Sequence, residues 1–147
     1  MKNQIKTEIV INASKEKVFS ILTNLQDYEK WNPFIIKSQG EPFEGSRIIN
    51  TMMNGEKTVT FKPRLVKVKK NKTFEWLGHL GFKGLFDGHH YFHIKEVSEN
   101  QINLIHGENF SGILSSFVLK KIGEQTRKNF VAMNEALKLQ AEKKNDN

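Results

Sequence analysis

Two histidines and a glutamate, His90, His106 and Glu108, are the residues of this chain best placed to do chemistry. Residues 89–97 and 101–110 alternate apolar and polar side chains on either side of Ser98-Glu99-Asn100, which reads as a β-hairpin with a three-residue loop. Val97 then faces Gln101, Phe92 faces His106 and His90 faces Glu108. His90, Phe92 and Ile94 share one face, and Ile102, Leu104, His106, Glu108 and Phe110 share one on the partner strand. Both are the more apolar faces, so both are assigned to the interior. Imidazoles and a carboxyl on an apolar wall can orient a ligand carbonyl or phenol, or exchange protons with an enolisable carbon. Burial raises a carboxyl pKa and lowers an imidazole pKa, while mutual pairing works the other way. The same three groups can also simply satisfy one another inside a core.

The remaining candidates are weaker. His89 and His93 point away from His90 and lie about 13 Å apart along the strand, so no metal site is expected. The chain has no Cys, which excludes disulfides and thiolate ligands, and no cofactor is implied. Trp76 shares a strand face with Phe74 and suits a pocket wall. Eleven Phe against two Tyr would line an apolar cavity or fill a solid core equally well. Leu80 to Phe86, with Gly81 and Gly84 between apolar tips, reads as an entrance flap or a plain loop.

The elements that must position these groups can be read in order. Residues 4–11 form a strand, and Ser14 is an N-cap for a helix from Lys15 carrying Val18 and Leu22. A second short helix covers Leu25 to Trp31 and stops before Pro33. Strands follow over 34–38, 47–53, 58–69 and 73–77. Asn54-Gly55 turns the second into the third, and Pro63 bends the third or puts it at an edge. Residues 78–88 read as a mobile glycine-punctuated stretch before the hairpin. Short turns argue an antiparallel meander. From about residue 113 the chain reads as one helix, with Leu119, Ile122, Thr126, Phe130, Met133 and Leu137 on one face.

Length fits a single domain over 1–147, with 143–147 as a frayed tail. The net charge of +7 comes from scattered Lys with only three Arg, so nucleic-acid binding is not expected. No apolar run reaches the ~18 residues of a bilayer span, so no stable membrane insertion is expected. With no signal-peptide core and no Cys, the expected location is cytoplasmic.

The segments Ala13-Ser14-Lys15-Glu16-Lys17-Val18-Phe19, Tyr28-Glu29-Lys30-Trp31-Asn32-Pro33-Phe34, Phe86-Asp87-Gly88-His89-His90-Tyr91-Phe92 and His106-Gly107-Glu108-Asn109-Phe110-Ser111-Gly112 carry a resemblance over nearly the whole chain. In these and in element order the chain resembles the START-like or SRPBCC superfamily, and within it the bacterial polyketide cyclase/dehydrase-like branch. The resemblance implies an α+β helix-grip fold, shared with the major birch pollen allergen. A curved antiparallel sheet wraps a long C-terminal helix, with two short helices near the N-terminus. Relatives include lipid carriers, hormone receptors and cyclases, so the fold leaves the activity open.

The leading expectation is a binder of a hydrophobic or aromatic small molecule, lipid-like or polyketide-like, held between sheet and helix. Trp76, His90, Phe92, Leu104, His106, Glu108 and Phe110 would contact it from the sheet. Ile122, Thr126, Phe130 and Met133 would contact it from the helix. Two alternatives are a cyclase/dehydratase-type enzyme using His90, His106 and Glu108, and a regulatory interaction module docking through Leu114, Phe117 and Val118. Oligomeric state is not legible.

Overall fold

The alternation in the first eight strand residues already sets one side of the molecule. In a computed structural model, which describes residues 3–144, β1 (Gln4–Ile11) buries Ile5, Thr7 and Ile11 and turns Gln4, Lys6 and Glu8 outward. Ser14 caps α1 (Lys15–Thr23), its side chain accepting from the Lys17 N–H. Val18 and Leu22 are the buried side of that helix. A 3₁₀ turn over Leu25–Asp27 runs into α2 (Tyr28–Trp31). There the Tyr28 hydroxyl donates to the Leu22 carbonyl, and Asn32 Oδ1 accepts from the N–H groups of Phe34 and Ile35, each at 2.9 Å. Asn32 therefore makes the turn around Pro33 that sends the chain into the strands.

The strands are β2 (Ile35–Gln39), β3 (Ile49–Asn54), β4 (Lys57–Phe61), β5 (Arg64–Lys69), β6 (Thr73–Leu80), β7 (Phe86–Ser98) and β8 (Gln101–Ser111). They form a five-stranded antiparallel sheet in the order β1-β8-β7-β6-β5 and a three-stranded sheet β2-β3-β4, bridged at Arg47 and Arg64. Three expectations need correction. The single strand over 58–69 is two strands in different sheets, broken at Lys62-Pro63, where proline has no N–H for a ladder. The hairpin turn after β3 is Gly55-Glu56, one residue beyond Asn54-Gly55, because Asn54 pairs with Lys57 and Gly55 takes the positive φ. Gly78 and Gly88 are not in a mobile stretch; they face each other in the β6–β7 ladder, leaving 81–85 as the loop.

α3 (Ser115–Glu142) closes the sheet. At 28 residues it is about 42 Å long. It follows Gly112, whose φ of +104° and close approach to the Leu85 carbonyl leave no room for a Cβ. Ile113 and Leu114 donate to the carbonyls of Gly84 and Leu85, tying the helix start to the β6–β7 loop. Phe130, Met133 and Leu137 are fully buried against Phe74, Phe92, Ile102 and Leu104 of the sheet. This is the helix-grip fold: a curved sheet holding a long C-terminal helix, with short helices at one end. Among the described residues no helix is long and apolar enough to cross a membrane.

Candidate functional site

Between Ser115 and Phe130 no α3 residue is buried, and the space beside that stretch is a cavity of about 130 Å³. The helix supplies Ile122, Thr126 and Asn129, and the sheet supplies Trp76, Glu108 and Phe110. Met52 of β3, Val59 and Phe61 of β4, Leu80 of β6 and Phe86 of β7 complete most of the apolar wall. Asn129 Nδ2 donates to the Met53 carbonyl at 3.3 Å, tying α3 to the small sheet across the space. The volume is close to the ~150 Å³ apolar cavity that admits a benzene ring.

Of the sequence-predicted ligand contacts, Trp76, Glu108, Phe110, Ile122 and Thr126 border this cavity. His90, Phe92, Leu104, His106, Phe130 and Met133 do not; each is fully buried in solid core. The cavity lies nearer the β3–β4 sheet and the β6–β7 loop than expected. His79 and Asn50 border it as well and were missed. His79 was read as part of a mobile segment. Asn50 carried a usable signal, being a polar residue in strand register with Met52.

The hairpin register is the expected one, with His90 opposite Glu108 and Phe92 opposite His106. The loop behind it differs: it is Glu99-Asn100, with a bulge at Val97 making up the count. The two imidazoles and the glutamate form one hydrogen-bonded chain whose polarity can be traced from its blind end. Thr7 Oγ1 donates to the His106 carbonyl at 2.7 Å and accepts from Asn134 Nδ2 at 2.8 Å. Asn134 Oδ1 therefore faces His106 Nδ1, 2.8 Å away, and that nitrogen carries a hydrogen. His106 Nε2 is then bare and lies 2.7 Å from His90 Nε2, which must donate. His90 Nδ1 is in turn an acceptor, 3.2 Å from Glu108 Oε1.

The surroundings favour neutral rings. His106 stacks on Phe130 at 4.3 Å and on Phe92 at 4.2 Å, and His90 stacks on Trp76 at 4.6 Å. Burial pushes the His90 imidazole down to about 3, with a lesser contribution from the charge of His89, and lowers His106 as well. Burial raises the Glu108 carboxyl to about 8, the charge of His89 only partly opposing it. The Glu108 side chain keeps 16% of its exposure at the cavity wall. It is largely withdrawn from water, and what remains exposed is at the border of the cavity. A Cβ on Gly88 would fall 2.0 Å from Glu108 Oε2, so the carboxyl occupies space that only glycine leaves free.

Two other clusters lie outside this chain. On the convex face the Glu75 carboxylate takes Thr73 Oγ1 and His93 Nε2 on one oxygen and His89 Nε2 on the other. Burial opposes its ionisation, but these hydrogen bonds prevail and hold the carboxyl below its usual value. His89 and His93 thus meet at one carboxylate despite their spacing along the strand. At the cavity mouth His79 Nδ1 lies 2.7 Å from Asp87 Oδ1, which it holds below the carboxylate range with help from the Gly84 N–H. Among the described residues no group of three or more His, Asp or Glu is disposed to hold a metal.

The same fold occurs in other proteins of known structure. The Zhui aromatase/cyclase from Streptomyces sp. R1128 superposes with a TM-score of 0.75 at 13% identity, over 95% of this chain and 93% of that one. A START superfamily protein from Mycobacterium smegmatis gives 0.73 at 16%, over 95% and 97%. Norcoclaurine synthase from Thalictrum flavum, in complex with dopamine and hydroxybenzaldehyde, gives 0.73 at 13%, over 99% and 90%. No curated protein matches at the sequence level. The sequence profile of one family spans residues 2–142, and by it the chain belongs to the polyketide cyclase / dehydrase and lipid transport family.

Proposed function

We propose that the protein binds a small apolar ring compound in the cavity between α3 and the two sheets. The observation that carries this reading is a mostly apolar cavity of about 130 Å³ with Glu108 set in its wall. Enclosed apolar walls with a few fixed polar groups are what small-molecule sites require. The size narrows the expected class: one ring fits, and a larger ligand must extend through the mouth at Leu80 and Phe86 or displace Met52 and Met53.

The decisive experiment follows methyl signals by NMR while propylbenzene is added. Shifts at Val59, Ile122 and Met52 are expected, and Thr126→Phe, which fills the space, should abolish them. Shifts spread over the surface, or undiminished in Thr126→Phe, would sink the reading. Identification of what the protein carries when purified from its own cells would then name the ligand.

A second reading, a cyclase/dehydratase-type enzyme, draws on one observation: a carboxyl at about 8 in a ligand-sized cavity suits a general acid. His90 and His106 do not suit a general base, since both are held far below neutrality. Under this reading Glu108→Gln keeps binding and loses turnover.

A further inference from the structure

The hydrogen-bonded chain behind Glu108 does more than fill the core, because each link dictates the next. We infer that Thr7, Asn134, His106 and His90 form a tautomer lock that keeps Glu108 protonated, so that the cavity selects an uncharged ring compound carrying a hydroxyl group. This inference rests on the binding reading for its ligand, and on geometry alone for the lock.

The argument starts at Thr7, whose hydroxyl is committed to the His106 carbonyl and so can only accept from Asn134. The amide orientation follows, then the Nδ1–H tautomer of His106, then the Nε2–H tautomer of His90. At the end of this sequence His90 Nδ1 presents a lone pair to Glu108 Oε1. A carboxylate there would set lone pair against lone pair, so one proton must lie between them. His90 is fully buried among Trp76, Phe92 and Phe130, which cannot solvate an imidazolium–carboxylate pair, so the neutral arrangement prevails and the proton stays on the glutamate. Ionising Glu108 would require both imidazoles and the Asn134 amide to turn over together and Thr7 to leave the His106 carbonyl. The chain ends blind at Asn134 and Thr7, which makes it a lock and not a proton wire.

With its proton spent on His90, Glu108 offers the cavity only the acceptor Oε2, lying over Gly88. Asn50 borders the same cavity; its Oδ1 takes the Ser38 hydroxyl at 2.6 Å, and its buried Nδ2 has no partner. An unpaired buried donor on β3 and an acceptor on β8, both at the border of one cavity, suit a group that both donates and accepts. A hydroxyl on a phenol or alcohol does so while staying neutral. A carboxylate ligand would meet the lone pairs of Oε2, and an ammonium would favour ionised Glu108, setting a carboxylate against the His90 Nδ1 lone pair.

Other titratable groups near Glu108 are His90 and His89 on β7, His106 on β8 and His79 on β6. α3 presents Ile122, Thr126 and Asn129, and β3 presents Asn50, Met52, Met53 and Asn54, none of them charged. The cationic influence on the carboxyl is His89, which is turned to Glu75 on the other face of the sheet and only partly opposes the effect of burial.

The lock and the ligand are tested separately. Nitrogen-15 NMR of the imidazoles at neutral pH should show His90 as the Nε2–H tautomer and His106 as the Nδ1–H tautomer. His90 with Nδ1–H, or either ring as imidazolium, would overturn the lock. For the ligand, 4-propylphenol should bind about tenfold more tightly than propylbenzene, as one well-made hydrogen bond allows. 4-propylbenzoate and 4-propylbenzylammonium should bind more weakly than propylbenzene. Glu108→Gln mimics the neutral acid, its amide donating to His90 and its carbonyl facing the cavity, and should keep 4-propylphenol affinity within about twofold. Glu108→Ala should lose about tenfold. Tighter binding of either charged probe would overturn the selectivity. If none of the four binds while the tautomers stand, the binding reading fails and the lock is supported by itself.

Discussion

The two halves of α3 are built from the same apolar stripe and do different things. From Phe130 onward the stripe is sunk: Phe130, Met133 and Leu137 have no exposed surface, and the sheet beneath answers with Phe92, Ile102 and Leu104. From Ser116 to Asn129 nothing is buried, and Ile122 and Thr126 look into open space. The change comes where the sheet turns over from its aliphatic end, Ile102 and Leu104, to Glu108 and Phe110. There the His90–His106–Asn134 chain tops the solid core and lies behind Glu108, the member of the network that borders the cavity. A solid lower half stabilises the fold enough for the upper half to stay hollow, and ligand sites are drawn from such less consolidated regions.

The sharpest test of that difference compares one truncation in each half. Phe130→Ala removes a ring packed against Phe34, His90 and His106. It should cost about 3–5 kcal/mol in urea or thermal unfolding. Ile122→Ala only widens a space that is already present and should cost about 1 kcal/mol or less. Equal costs would mean that the upper half closes in solution and that there is no cavity to fill.

The boundary layer is next in size. Asn134→Leu keeps the volume but strips His106 Nδ1–H and Thr7 of their partner, leaving a buried donor unsatisfied. About 1–3 kcal/mol of stability should be lost, and the tautomers of His90 and His106 should become mixed. A variant as stable as the parent would show that water or another group replaces the amide.

Titration separates the two sides of that layer more gently. Glu108 holds its proton up to about 8, against 4.5 ordinarily, so the folded state keeps a proton that the unfolded chain has released. Stability from this group falls as pH rises through that interval and is level beyond it. His90 behaves in the opposite sense: at about 3 against 6.5, the unfolded chain takes up a proton that the folded state refuses, and stability falls as pH drops below 6.5. His106 adds to the acid side, and the lowered carboxyls of Glu75, Asp87 and Glu142 act only in the carboxylate range. Stability should therefore peak around pH 6.5 and decline by on the order of 1–2 kcal/mol towards pH 8. Glu108→Gln should remove that alkaline decline and leave the acid limb in place. A decline that persists in the variant would mean that another group carries it.

The sequence made the solid half more legible than the hollow one, and the reasons are physical. His90, Phe92 and Ile94 and their partners on β8 alternate cleanly, and only registers of one parity put both apolar faces inside. The bulge at Val97 is the adjustment that lets a two-residue loop satisfy that demand, so the pairing was readable although the loop was not. The hollow half depends on Lys57–Phe61 leaving one sheet for another at Pro63, and periodicity within a strand does not say which sheet it joins. Reading 58–69 as one strand hid the step that brings Val59 and Phe61 of β4 to the cavity wall, and the helical stripe alone did not separate Ile122 and Thr126 from the buried Phe130 and Met133. The Phe content was ambiguous for a related reason: Phe92 and Phe130 fill core while Phe86 and Phe110 border space, and sequence spacing is alike in both cases.

The smallest effect concerns the outer side of the hollow half, where the apolar helix start was read as a partner surface. Phe117 is 60% exposed and Leu114 39%, with the Lys121 ammonium 4.8 Å from the centre of the Phe117 ring. α3 begins with no side-chain cap and no acidic residue in its first turn. A carboxylate at position 117 would sit near the positive end of the helix dipole and four residues ahead of Lys121, the favoured order for an ion pair. Phe117→Glu should therefore raise stability by about 0.3–0.5 kcal/mol, net of the weak cation–π contact it removes. Binding of propylbenzene should be unchanged, since the ring lies outside the cavity. A clear loss of stability would show that Phe117 packs against the β6–β7 loop, extending the solid core over the cavity mouth and erasing much of the contrast between the halves.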